Sequence, residues 1–196
     1  MGKRWKKILH LLKKRKSGWR TEERSEQVPE EEKSDGQYLC CVMSWEICEF
    51  ARRKHGIARK NHRIIIVDDG SESAMLVLRK AGHDINHLTL ATDREEHFER
   101  ILGEIYEEDG LVVEVTDRNL TERGMTLSFN GKFCIRMEDK TVYQTVFFHY
   151  EGKEWEAGEL QTLLFGESSE ELFLFGNGEL PEDCKGRIFV QKLSDS

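Results

Sequence analysis

The sequence predicts an α/β protein of Rossmann-like architecture, with a parallel β-α-β-α-β unit over residues 63–117 and an antiparallel, mixed extension with additional helices over residues 118–196. Three observations carry that expectation. Ile64, Ile65, Ile66 and Val67 form a continuous β-branched run closed by Asp68, Asp69 and Gly70, the pattern of a strand buried on both faces. Strand-length and helix-length apolar patterns then alternate, which requires right-handed crossovers and a parallel sheet. After Thr116 the rhythm changes to two apolar runs flanking Asn130-Gly131, the preferred pair for a two-residue type I′ hairpin.

Ahead of the first strand, Tyr38, Leu39, Val42, Met43, Trp45, Ile47, Phe50 and Ala51 make a wide apolar stripe that predicts one well-buried helix ending at Gly56. Cys40, Cys41 and Cys48 belong to its packing, since a free thiol behaves as a small hydrophobe. A helix over residues 71–81 follows the first strand, and residues 87–91 give the second. Asp93 is placed to cap a helix running to Glu107 with Phe98, Ile101, Leu102, Ile105 and Tyr106 on its apolar face, and residues 111–115 give the third strand. Beyond the hairpin, residues 141–150 are rich in β-branched and aromatic side chains and predict another antiparallel strand. A helix over residues 157–164, short strands at 172–175 and 187–191, and a turn at Gly176-Asn177-Gly178 complete the reading. No internal repeat is evident.

Length and charge bound the organisation. A chain of 196 residues and 22.9 kDa supports one core with a tail, and 38% hydrophobic against 34% charged residues implies a modest core under a charged surface. The net charge of -7 conceals an asymmetry, because residues 1–20 hold nine Lys or Arg and no acid. Residues 21–35 hold seven acids and read as a charged linker, and residues 36–196, the single α/β domain, carry 30 acids against 19 bases. Such a body excludes a broad nucleic-acid footprint on the domain itself. In the basic tail, Trp5, Ile8, Leu9 and Leu12 recur at helical spacing among lysines, so a basic amphipathic helix is expected there. A protein partner is the expected target of the chain, with an anionic membrane surface or nucleic acid reachable through residues 1–20. Lys6 stands where a myristoylation signal needs Ser or Thr. Five cysteines, no apolar leader and no run of 18 apolar residues lead to the expectation of reduced thiols in a cytoplasmic protein without a transmembrane segment, peripheral to a membrane at most.

In open α/β sheets ligands bind outside the carboxyl ends of the parallel strands. Asp68, Asp69, Gly70, Ser71, Ser73, Asp93 and Asp117 fall at or just after those ends and are the candidate ligand-binding residues. Carboxylates gathered there suit Mg²⁺, a ribose or a nucleophilic role. Asp and Ser are also the preferred helix caps at such turns, and that is their commonest use. No Cys-x-x-Cys or Gly-x-Ser-x-Gly is present, and Gly82 separates His83 from His87, so their i, i+4 spacing does not lie on one helix.

Four family patterns are similar to this segment. Gly70, with Asp93 at the end of the second strand, resembles fragments of the dinucleotide-binding fold, without its two further glycines. Val67-Asp68-Asp69-Gly70-Ser71 resembles the nucleotide-sugar strand end of inverting family glycosyltransferases, which also need a later Asp-x-Asp pair. Phosphatases of the haloacid dehalogenase type are similar but use Asp-x-Asp, whereas Asp68 and Asp69 are adjacent. Asp68, Asp69 and Asp117 have the order seen in response-regulator receiver domains, which then continue with helix-strand units where this chain has its Asn-Gly pair. The incomplete motifs lead to the expectation of a non-enzymatic interaction or regulatory module with a basic recruitment tail. The alternative is a small-ligand-, nucleotide- or divalent-metal-dependent enzyme using the acidic strand ends, with Mg²⁺ its natural cofactor.

Overall fold

The computed structural model describes residues 35–81, 85–118, 123–166 and 169–195. The amphipathic helix expected in the basic tail, the linker up to residue 34 and His83 lie outside the described residues. The described elements are α1 (Gln37–Val42), α2 (Ser44–Lys54), a single 3₁₀ turn at Arg59–Asn61, β1 (Arg63–Val67), α3 (Ser73–Leu78), β2 (His87–Ala91), α4 (Glu95–Asp109), β3 (Val113–Thr116), β4 (Met125–Ser128), β5 (Cys134–Arg136), β6 (Val142–Tyr150), β7 (Lys153–Glu156), α5 (Ala157–Phe165), α6 (Ser169–Phe175) and β8 (Phe189–Asp195).

The strands form one mixed sheet in the order β3-β2-β1-β4-β5-β6-β7, with β8 on β6 as well. β1, β2 and β3 are parallel, as the apolar run and the alternating rhythm predict. β4 is antiparallel to β5 but parallel to β1, so the strand expected to begin the antiparallel extension also completes the parallel half. The result is a mixed parallel and antiparallel sheet with interspersed helices, a Rossmann-like α/β fold extended by further strands. Tyr143 pairs Asp195 across β6 and β8 while Thr145 pairs Ser194, and this bulge lets Tyr143, Val146, Phe148 and Tyr150 all point into the core.

That core lies on one face of the sheet. Ile64, Ile66, Leu88, Leu90, Met125, Leu127, Ile135 and Phe148 meet Tyr38, Leu39, Ile47, Ala51, Val77, Phe98, Ile101, Leu160 and Leu172 from the six described helices in a single apolar cluster. Ile65 and Ala91, which alternate with these residues on β1 and β2, are buried yet stand outside the cluster, on the opposite face.

Several expectations are corrected. The single helix expected over residues 38–51 is two helices meeting at Met43, whose ψ of 16° departs from helical geometry. Every residue of α1 is buried, packed among α3, α5 and α6, while α2 buries only one stripe, so the two segments answer to different neighbours. Residues 172–175, expected as a strand, belong to α6: a short apolar run does not distinguish strand from buried helix, and Glu170 and Glu171 in the first turn favour the helix. Asn130-Gly131 does not make a two-residue turn. Ser128 pairs with Cys134, leaving a five-residue connection in which Gly131 alone has positive φ and the rings of Phe129 and Phe133 lie 5.9 Å apart, tilted by 55°. The two-residue turn with positive φ at both central positions is Glu151-Gly152, between β6 and the unforeseen strand β7.

Candidate functional site

β1 ends at the centre of the parallel half, and its ladder continues one residue further, with the Asp68 amide donating to the Ala91 carbonyl at 2.9 Å. This fixes the Asp68 side chain at the carboxyl ends of β1 and β2, where it has no exposed surface. A carboxylate so placed must be met by donors. Asp68 accepts from the Gly70 amide at 2.9 Å and the Thr92 hydroxyl at 2.7 Å, and it takes both Nε (2.9 Å) and Nη2 (2.7 Å) of Arg94 in a bidentate pair. Arg118 Nη2 stands 3.6 Å from the same carboxylate. Burial pushes the Asp68 pKa up, but the bonds from Arg94, Thr92 and Gly70 outweigh it and hold the group at about 2. Arg94 also lies 5.8 Å from the Phe98 ring, which orients its guanidinium over the first turn of α4.

The remaining candidates make a second, separate chain of bonds. Asp69 accepts the Ser71 amide (2.9 Å) and hydroxyl (2.6 Å), the Ser71 oxygen accepts in turn from the Ser73 hydroxyl 3.0 Å away, and Gln37 of α1 donates Nε2 to Ser73 Oγ at 2.9 Å. Gly70 has φ of 94°, the conformation that lets the chain reverse between Asp68 and Ser71. Asp69 and Ser71 therefore shape the entrance to α3, and Ser73, fully buried, joins α3 to α1. The structure thus brings Asp68, Asp69, Gly70, Ser71 and Ser73 together in one turn whose polar atoms bond largely to each other.

Asp93 and Asp117 lie apart from that turn. Asp93 does not cap α4, which starts at Glu95 behind Arg94 without a side-chain cap. Asp93 pairs instead with Arg118 Nε at 3.2 Å, and the local turn is made by Thr92, whose hydroxyl accepts the Arg94 amide at 2.9 Å. Asp117 is exposed just past β3. Among the described residues no group of three His, Cys, Asp or Glu side chains is arranged to hold a metal ion.

The partners of Asp68 are the residues that sequence reasoning missed, and a signal for them exists. Thr92-Asp93-Arg94 follows β2 and Thr116-Asp117-Arg118 closes β3, the same tripeptide at two adjacent strand ends. Attention to the aspartates alone passes over the arginines that neutralise them. Chemically, the edge is a mixed-charge clasp: one buried carboxylate, two half-exposed guanidiniums and a hydroxyl tie the turns after β1, β2 and β3 to one another. No family model matches the chain, and comparison with curated proteins and with solved structures finds no significant match.

Proposed function

We propose that this chain is a non-enzymatic interaction or regulatory module, brought to a protein partner by its basic segment 1–20. The observation that supports the reading is the state of Asp68. Its four hydrogen bonds, two of them from Arg94, leave the central carboxylate of the strand-end cluster committed to the fold, with no lone pair facing solvent. A metal-dependent or nucleotide-dependent enzyme at this edge would need Asp68 to leave Arg94 and lose its own ion pair, which costs several kcal/mol for a buried charge. The asymmetric charge of the chain supports the second half of the reading, since the basic segment can engage an acidic surface that the acidic domain would itself repel.

Two measurements on the full chain test this. A thermal-shift screen with Mg²⁺ and nucleotides is expected to give no stabilisation that depends on Asp68, whereas a gain of about 2.7 kcal/mol at 100 times the dissociation constant that Asp68→Asn removes would support the enzyme reading. Crosslinking in native cells is expected to capture a discrete protein, and replacing Lys13, Lys14, Arg15 and Lys16 by Gln is expected to abolish that capture. Unchanged capture by the neutralised variant would rule out the recruitment role.

A further inference from the structure

The opposite end of the parallel strands carries a second constellation, independent of Asp68. On the face of the sheet turned away from the described helices there is a cavity of about 750 Å³, of the size small-molecule sites have. Ile65 of β1 and Thr89 of β2, adjacent partners in the ladder, form its buried floor. Arg63 and His87, also ladder partners, stand at the amino ends of the same strands, and Arg123 and Glu114 complete the charged lining.

The charges around this groove are arranged unlike those at the strand carboxyl ends. There, Arg94 and Arg118 each meet a carboxylate. Here, the side chains of Arg63, Arg123 and His87 are exposed and make no ion pair or hydrogen bond among the described residues. The main chain beside Arg123 is pressed against Arg63, since a Cβ on Gly124 would lie 3.0 Å from the Arg63 carbonyl and 3.2 Å from its Cβ. Two guanidiniums are thereby held on neighbouring backbone, beside an imidazole, in a domain that is otherwise strongly acidic. Like charges confined in this way repel, and an anion with several oxygens relieves the repulsion while using the fork geometry of both arginines. Glu114 sits on β3, two strands across from Ile65 and two residues along from the level of Arg63, roughly 12 Å from Arg63 at the usual strand spacing and rise. At that distance it is too remote to neutralise the arginines and well placed to accept a hydroxyl at the far end of the same ligand.

We propose that this groove binds a small phosphorylated polyol, with Arg63, Arg123 and His87 on the phosphate and Glu114 on a hydroxyl. The reading goes beyond the interaction-module function and does not depend on it, because the groove shares no residue with the Asp68 clasp or with the basic segment.

Titration calorimetry of the full chain with ribose 5-phosphate and with inorganic phosphate, at low and at raised salt, tests it. Saturable one-to-one binding of ribose 5-phosphate is expected, with inorganic phosphate weaker. Arg63→Gln and Arg123→Gln are each expected to weaken ribose 5-phosphate about tenfold or more, the loss of one charge-assisted bond. Glu114→Gln is expected to weaken ribose 5-phosphate while sparing inorganic phosphate, and Arg79→Gln, outside the groove, to change neither. All four side chains are exposed, so the melting temperatures of the unliganded variants provide the folding control. No saturable binding of either probe, binding insensitive to both arginine substitutions, or equal affinity for the two probes would overturn the proposal.

Discussion

A carboxylate without exposed surface persists only where its charge is met on the spot, and Asp68 is met by Arg94, Thr92 and the Gly70 amide at once. Replacing it by Asn keeps the shape and removes the charge, leaving Arg94 without its partner. Asp68→Asn is expected to lower unfolding free energy by about 2–4 kcal/mol in urea titrations. A loss below 0.5 kcal/mol would mean that the clasp is not structural. The pH dependence has a definite sign. With the folded-state pKa lowered from 3.8 to about 2, Asp68 contributes stability above its unfolded value, and that contribution disappears as pH falls from about 4 toward 2. Glu49 adds to the same window, because hydrogen bonds from Arg52 and Arg53 hold it at about 2. The Asp68→Asn variant is therefore expected to show a shallower acid limb than the parent.

Among the elements, α1 depends most on its surroundings. Six residues are too few for a helix to be stable alone, and this one is buried on every side. Its amino end is held by Gln161 of α5, which has no exposed surface, accepts the Leu39 amide at 3.0 Å and donates to Ser169 at 2.9 Å. Gln161→Leu leaves that amide unmet and is expected to cost about 1–3 kcal/mol, read from thermal or urea unfolding. Close approach makes Gly36 equally specific: its φ is 72°, and a Cβ there would lie 2.5 Å from the Gly158 amide nitrogen. Cys40 and Cys41 on α1 and Cys48 on α2 are free and buried, and burial pushes all three thiols up, away from the reactive thiolate. Native-state labelling followed by mass spectrometry is expected to modify Cys134, which is only half-buried, well before these three. Equal rates at Cys41 and Cys134 would contradict the packing of α1.

Across the whole molecule, the parallel half was legible because a four-residue β-branched run, a short apolar helix and a long amphipathic one leave few alternatives. What escaped the sequence was set by distant neighbours. The break at Met43 follows from what α1 and α2 each pack against. The five-residue loop around Asn130 follows from the contact of Phe129 with Phe133, which outweighs the local preference of Asn-Gly for a tight turn. The placement of β4 beside β1 has no local signature, since parallel pairing is decided by the crossover. Of the candidate site, the positions of Asp68 to Ser73 were readable from the strand end, but their use was not. A buried Asp that binds a ligand and one that clasps two arginines look alike until the Thr-Asp-Arg repeats are set beside each other in space.

The sheet order begins at β3, which pairs with β2 on one side and with no described strand on the other. Such an edge offers unmatched amides and carbonyls to any other chain in an extended conformation, and natural proteins guard it by shortness and charge. β3 has four residues, and Glu114 is the charged one among Val113, Val115 and Thr116, with exposed Val112 just before it. Glu114→Val would turn this stretch into an unbroken β-branched tetrapeptide, and light scattering at raised concentration is expected to show association that the parent does not. The acid on the outermost strand then acts as a gatekeeper against self-assembly, keeping an eight-stranded sheet from recruiting a ninth strand from its neighbour.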